Sequence, residues 1–322
     1  MARTARNIPS AAEHLAAITQ QLAVLLEAGV TPTSAWVYSA EMIAEPGPDD
    51  AVVAVRAEML RSIAQDVATG RAPGEAIREA QGSRGLEEHR AWASVAAAWT
   101  VATAAGSPLA PTLHALAGSL RDTAQTSRDL QIALAGPRAT AKLVTLLPVI
   151  GILFGAALGF DTFHTLLATP FGWACTVVGV GLMLVARCWN KRLLRSAEPS
   201  SRPAGLYLDL LAIAVSGGAS LDRAHRAADD ALPADAEPTE QERAAASAVL
   251  ALSARAGVPA ALLLRSRAAE MRNDARAEGA RRAAALGVQL MLPLGVCILP
   301  AFIVLGVAPL LVSVISSTVG AF

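Results

Sequence analysis

Two long apolar runs stand almost side by side in the middle of this chain, over residues 143–160 and 166–186. Neither run contains a charged side chain, and with its flanks each reaches the roughly 20 residues that a helix needs to cross a bilayer core about 30 Å thick. Because only residues 161–165 separate the runs, they predict a helical hairpin whose turn lies at one face of a membrane. A third uncharged run, residues 283–322, closes the sequence. The sequence therefore predicts polar helical segments attached to three transmembrane helices.

Composition favours an all-α membrane protein. Hydrophobic residues make up 53% of the chain and charged residues 17%, against about 25% charged residues in ordinary soluble proteins. The formal net charge is zero, which gives no reason to expect nucleic-acid binding. The three cysteines and five histidines do not fall in metal-binding spacings, and no phosphate loop, GxSxG or dinucleotide fingerprint occurs. We therefore expect no catalytic, cofactor or metal site, and a protein that is not an enzyme.

Helix signals divide the chain into segments. Ser10 with Glu13, and Thr239 with Glu242, have the spacing of a capping box at a helix start. The basic N-terminus runs into these polar residues and not into an apolar core, so we expect no cleaved signal peptide and a cytoplasmic N-terminus. The predicted segments are a helical bundle (1–137), a first transmembrane helix (138–160), an extracytoplasmic turn (161–165), a second transmembrane helix (166–190), a shorter helical domain (191–282), and a third transmembrane helix with its tail (283–322).

The two polar segments contain the same landmarks in the same order, which predicts an internal repeat. Each begins with an apolar helix that ends at a glycine, Gly29 in the first and Gly218 in the second. A second glycine turn follows, Ala105-Gly106-Ser-Pro in the first and Ala256-Gly257-Val-Pro in the second. Each then runs into an apolar helix at a Leu-Pro pair, 147–148 or 292–293. The second repeat lacks a counterpart of the predicted helices around residues 50–80.

This layout resembles the type II secretion system F family, and most closely its Tad (Flp) pilus assembly branch. The resemblance is carried by Leu-Leu-Glu-Ala-Gly-Val at 25–30, by Leu-Ala-Gly-Pro-Arg-Ala-Thr-Ala at 134–141 with Leu-Pro at 147–148, and by residues 292–302 with Leu-Gly at 305–306. It implies a non-catalytic, oligomeric platform in the bacterial inner membrane. It also implies docking to a cytoplasmic secretion ATPase, to a second platform protein and to pilin subunits.

Basic residues indicate the orientation, because Lys and Arg concentrate on the cytoplasmic side of membrane spans. They precede the first and third apolar runs and follow the second, whereas the hairpin turn and the C-terminal tail have none. Both helical domains are therefore expected in the cytoplasm, and the turn and the C-terminus outside. A final run that turns back near Pro309 would place the C-terminus in the cytoplasm instead.

Glycines and prolines in the spans are the candidate functional residues. Gly151, Gly155 and Gly159 form a GxxxG stripe that predicts close helix packing, although glycine is also common in membrane helices. Gly172, Gly179 and Gly181 on the second span are candidates to face the stripe. Prolines kink helices, so Pro148, Pro293 and Pro300 act either as hinges or as static kinks.

Polar candidates have two readings as well. Asp161 in the hairpin turn either contacts a pilin or is a solvated turn residue. The charged stretches 121–128 and 265–278 either face the ATPase or form solvated helix faces. The sequence leaves open a membrane subunit of a transporter or permease, although ionisable residues usually mark a transport path and the three apolar runs contain no charged residue. It also leaves open a membrane-anchored sensor, which would need a larger outer domain.

Overall fold

The computed structural model describes residues 10–43, 51–81, 86–157, 170–197, 203–233, 236–308 and 311. Helices dominate these residues and no strand occurs among them, which confirms the all-α expectation. The longer helices are α1 (Ala11–Glu27), α2 (Pro32–Glu41), α3 (Ala51–Ala68), α4 (Pro73–Ala80), α5 (Leu86–Ala105), α6 (Leu109–Ala157), α7 (Pro170–Ala197), α8 (Leu206–Ser216), α9 (Leu221–Ala231), α10 (Glu240–Ala256) and α11 (Ala260–Gln289). Residues 291–307 continue as short α- and π-helical turns.

The predicted caps form the helix starts. Ser10 Oγ accepts a hydrogen bond from the backbone N–H of Glu13 at 3.2 Å and begins α1. Thr239 and Glu242 form a complete capping box at α10: the Thr239 hydroxyl accepts from the Glu242 N–H at 3.2 Å, and the Glu242 carboxylate accepts from the Thr239 N–H at 3.0 Å. Each cap satisfies donors that have no partner inside the helix.

The four glycines predicted as repeat turns all adopt positive φ angles: +86° at Gly29, +68° at Gly106, +87° at Gly218 and +67° at Gly257. The first turns of the two repeats close in the same way. Val30 N–H donates to the carbonyl of Leu25 at 3.0 Å. Ala219 N–H donates to that of Ala214 at 3.2 Å. This bond, which reaches back five residues across a left-handed glycine, is the Schellman ending of a helix.

The helices fall into two units, the first formed by residues 1–127 and 200–276 and the second by residues 128–199 and 277–322. The first unit has one hydrophobic core, to which both repeats contribute. In the first repeat Trp36 packs against Trp99, with ring centroids 5.6 Å apart. In the second repeat, the Tyr207 hydroxyl lies 2.9 Å from Nδ1 of His225. The sequence predicted two separate bundles, whereas here the second polar segment completes the core of the first.

Helix α5 lies at the centre of this unit. It packs against α1 and α4 of its own repeat and against α8 and α9 of the second. Nearly every residue from Ala91 to Ala102 is buried. Between α9 and α10 the second repeat has only residues 232–239, so α3 and α4 have no counterpart there, as predicted.

The second unit contains the apolar helices. Leu134 of α6 and Leu286 and Leu290 near the end of α11 pack together, with Leu193 of α7 beside them. Large apolar side chains elsewhere in this unit face outward, including Leu184, which is 62% exposed. Two helical stretches among the described residues, Gly172–Leu193 and Ala260–Leu305, are long and apolar enough to cross a membrane. Apolar surface of this extent fits a lipid environment.

Part of the predicted membrane topology falls outside the described residues. The first predicted transmembrane helix, 138–160, is helical as far as Ala157, where α6 ends. The turn 161–165 with Asp161, the glycine Gly159, and residues 309–310 and 312–322 are not described. The three crossings and the position of the C-terminus therefore stay predictions.

Candidate functional site

A cavity of about 850 Å³ opens between the two repeats in the first unit. Helices α4 and α5 form one wall and α9 forms the other. Small side chains make its floor: Ala96 of α5 is 1% exposed, and Ala93 of α5 and Ala231 of α9 are each 7% exposed. The volume lies within the range of small-molecule pockets, about 300–1,000 Å³.

The rim of the cavity is basic. Arg78 at the end of α4 and Arg223 and Arg226 on α9 are exposed there, with His89 beside them and Asp230 as an acidic neighbour. Residues 223 and 226 are three apart on α9, so they lie on the same face of that helix. Within the described part of the chain, neither Arg78 nor Arg223 has an ion-pair partner. Arg78 and Arg223 are therefore available to an external anion.

One buried donor also lines the cavity. Gln81, just after α4, is 3% exposed, and its side-chain Nε2 finds no hydrogen-bond partner among the described residues. A buried amide without a partner costs about 1–3 kcal/mol. A ligand oxygen at this position would remove that cost.

The side chains that line the cavity are suited to binding an anion. Guanidinium groups bind carboxylates and phosphates through paired, charge-assisted hydrogen bonds. The alanine floor leaves room for an apolar side chain attached to such an anion. The arrangement suits an acidic segment of another protein, in which carboxylates alternate with apolar residues.

A second polar cluster joins the repeats through the two charged stretches. Arg276 of α11 donates to Asp122 of α6 at 3.2 Å. Arg272, one helical turn earlier, donates to Asp209 of α8 at 2.8 Å and lies 3.8 Å from Asp122. The stretches 121–128 and 265–278, proposed as an ATPase-facing surface or as solvated faces, thus contact each other in part.

Burial changes the proton affinity in this cluster. The desolvation of Asp209 raises its pKa to about 6, and the neighbouring Arg272 guanidinium opposes that rise only in part. Burial also shifts the pKa of His14 in α1, but downward, because it disfavours the charged imidazolium. The positive charge of Arg56 lowers this pKa further.

The predicted glycine stripe is described only as backbone. Gly151 and Gly155 lie in the last turns of α6, and Gly159 is outside the described residues. On α7, a Cβ at Gly179 would lie 2.7 and 2.8 Å from the two Cδ atoms of Leu305. Gly179 therefore packs on the third apolar run, whereas nothing lies within 4 Å of a Cβ at Gly181.

Pro293 and Pro300 lie beside changes in helical geometry, whereas Pro148 does not. Pro148 is in the interior of α6. Pro293 is buried and immediately precedes the π-helical turn Leu294–Ile298. Pro300 lies in Leu299–Phe302, and the π-helical turn Ile303–Val307 follows. Such turns commonly accommodate a kink, and hinge and static kink both stay open.

Sequence reasoning missed the cavity. Its arginines come from α4 and α9, more than a hundred residues apart, and each alone resembles a solvated helix charge. The available signal was the spacing of Arg223 and Arg226 on one face of α9, combined with the predicted repeat.

One known family matches part of the chain, across α1 to α6. Residues 18–157 match the model of a family described as Type II secretion system (T2SS), protein F. The match runs from within α1 to the end of α6 and includes the stretch 134–141 and the Leu-Pro pair at 147–148. No curated protein gives a significant match to the chain.

Proposed function

We propose that this chain, whose residues 18–157 match the model of type II secretion system protein F, is the inner-membrane assembly platform of a Tad (Flp)-like pilus or a related secretion machine. In this role it would couple a cytoplasmic ATPase to the insertion or extraction of pilin subunits. The platform itself performs no chemistry, so the energy comes from the ATPase.

The basic cavity between the repeats is the observation that carries this proposal. A platform must receive movement from its ATPase through a defined contact, and the cavity offers one with a charged rim and an apolar floor. The contact would engage α9 of one repeat and α4 and α5 of the other. We infer that an acidic segment of the ATPase docks there, since arginine-rich clefts favour carboxylates.

The apolar helices of the second unit support the membrane part of the proposal. Helix α6 begins in the first unit, at Leu109, and ends in the second, at Ala157. Helix α11 likewise extends from the first unit into the second. Under the proposed topology the first unit is cytoplasmic, and these two helices connect it to the pilin-holding membrane segments.

Charge reversal at the rim tests the docking contact. The full-length Arg78→Glu/Arg223→Glu chain should bind a cytoplasmic secretion ATPase of the same organism about tenfold more weakly or worse, because two attractive charges become repulsive. Affinity would be measured by titration of purified ATPase against platform in nanodiscs.

The matched control is Arg61→Glu/Arg267→Glu, which makes the same change in net charge at two other arginines of the first unit. It should bind the ATPase nearly as well as the wild type. Equal weakening in both variants would mean that only the overall charge matters, and unchanged binding in the cavity variant would exclude the cavity as the docking site.

A further inference from the structure

Where the two repeats meet, each contributes one of its glycine turns. The turn between α5 and α6 of the first repeat packs against the turn between α8 and α9 of the second. Ser107 Oγ donates to the carbonyl of Ile213 at 2.5 Å, and a Cβ at Gly217 would lie 2.5 Å from the same Oγ. Val101, on the last turns of α5, is fully buried.

The equivalent turn of the second repeat is uncovered. Aligning Gly106 with Gly257 places Leu252 at the position of Val101 and Val258 at the position of Ser107. Leu252 is 45% exposed and Val258 is 37% exposed, whereas Val101 and Ser107 are 0% and 7% exposed. The small residue Ala248 is exposed as well. The second repeat thus presents an apolar end, which we call the donor end (Ala248, Leu252, Val258).

The first repeat has the complementary uncovered surface. Aligning Gly29 with Gly218 places Val24 at the position of Ile213, Ala28 at that of Gly217, and Met42 at that of Ala231. Val24 is 50% exposed and Met42 is 70% exposed, whereas Ile213 and Ala231 are 5% and 7% exposed. Tyr38, aligned with the cavity-lining Ala227, is 48% exposed. We call this surface the acceptor end (Val24, Ala28, Tyr38, Met42).

We propose that the donor end of one chain docks on the acceptor end of a second copy of the same chain, repeating between molecules the contact that joins the two repeats within each molecule. The two ends differ, so the interface is head-to-tail, and such interfaces close into rings when the rotation allows. At the interface between molecules, Val258 of one chain takes the position of Ser107, and Ala28 of the other chain takes the position of Gly217.

The proposed membrane topology is compatible with this assembly. In both repeats the chain runs from the polar helices into an apolar segment, through α6 in the first and α11 in the second. Parallel repeats are related by a rotation about an axis along the membrane normal. The same kind of rotation can therefore place a neighbouring chain in the same membrane. Apart from the topology, the inference is independent of ATPase binding.

Disulfide trapping tests the interface in full-length protein in native membranes. Ala28→Cys and Val258→Cys are introduced singly, under different tags, into a chain with Cys175, Cys188 and Cys297 replaced by alanine. The contact of Gly217 with Ser107 implies that Cβ atoms at 28 and 258 come within disulfide range. Co-expression should give cross-linked dimers that carry both tags, and the double variant on one chain should give dimers and larger species.

The control pair is Ala28→Cys with Ser266→Cys, because Ser266 is exposed on α11 and its equivalent in the first repeat, Ala115, is exposed too. This pair should not cross-link. Cross-linking of either single variant to itself would overturn the head-to-tail arrangement. Adducts only with a different protein would replace self-assembly by pairing with a sister platform, and absence of adducts would reject the interface.

A charge pair provides a second test that needs no cysteine. Leu252→Lys and Met42→Glu should each weaken self-association in detergent about tenfold, since each places a lone charge in an apolar contact. Mixing the two variants should restore association by pairing the charges. Static light scattering gives the mass, and a wild-type protein that is monomeric at all concentrations would contradict the proposal.

The two proposals can fail separately. If these variants lose self-association but still bind the ATPase, the proposed function is unaffected. If the cavity variants lose ATPase binding but still self-associate, this interface is unaffected.

Discussion

At the scale of single residues, a buried ion pair orders the helices where the repeats meet. Asp209 and Arg272 are mostly buried, with side chains 17% and 15% exposed. Their hydrogen bond connects α8 to α11, and Asp122 brings in α6. A buried pair of this kind fixes the position of helices more than it adds stability, since desolvation offsets much of the attraction.

Asp209 should make the protein less stable as pH rises. Its folded-state pKa of about 6 exceeds the reference value of 3.8, so the folded state holds the proton more tightly. The stabilising contribution is complete below about pH 4 and is lost as pH rises through 6, by about 3 kcal/mol. Asp209→Asn should remove this part of the pH dependence of Tm, measured in detergent between pH 4 and 7. Asp222→Asn, at an exposed acid of α9, should follow the wild-type curve. Parallel curves for Asp209→Asn and wild type would refute the assignment.

At the scale of helices, much of the structure follows from local sequence signals. The capping pairs predicted the starts of α1 and α10, and the turn glycines predicted the ends of α1, α8 and α10, because each signal acts within one helical turn. The sequence did not predict that α6 is one helix of 49 residues from Leu109 to Ala157. The predicted boundary between residues 137 and 138 lies in the interior of this helix.

The packing of α7 gives the prediction at this scale. Gly179→Val should destabilise the second unit by about 1–3 kcal/mol, because the new side chain needs the space that Leu305 occupies. Gly181→Val introduces the same side chain where nothing lies within 4 Å, and should be tolerated. Leu305→Ala should partly rescue Gly179→Val. Thermal unfolding in detergent compares the wild type, the two glycine variants and the rescued double variant. An equal loss of stability in the two glycine variants would show that the cost comes from β-branching and not from the contact.

At the scale of the whole molecule, the repeat could be predicted and the sharing of one core could not. Turn glycines identify a repeat because they are few and specific. The contact surfaces are built from alanines, as on α5, and alanine occurs on buried and exposed faces alike. The cavity was missed for the same reason, since its walls meet only when the two repeats pack together.

A shared core predicts that the two polar segments do not fold independently. Fragment 10–127 alone should unfold at a lower temperature than in a mixture with fragment 203–276, because the second fragment covers the face of α5 that packs on α8 and α9. Circular dichroism follows the melting, and sedimentation measures the complex. Gly217→Val in the second fragment should abolish the effect, since its side chain would collide with Ser107 and the Ala105 backbone. Gly118→Ala in the first fragment, where nothing lies within 4 Å, should leave it intact. If fragment 10–127 melts identically alone and in the mixture, the repeats are separate domains, as the sequence by itself predicted.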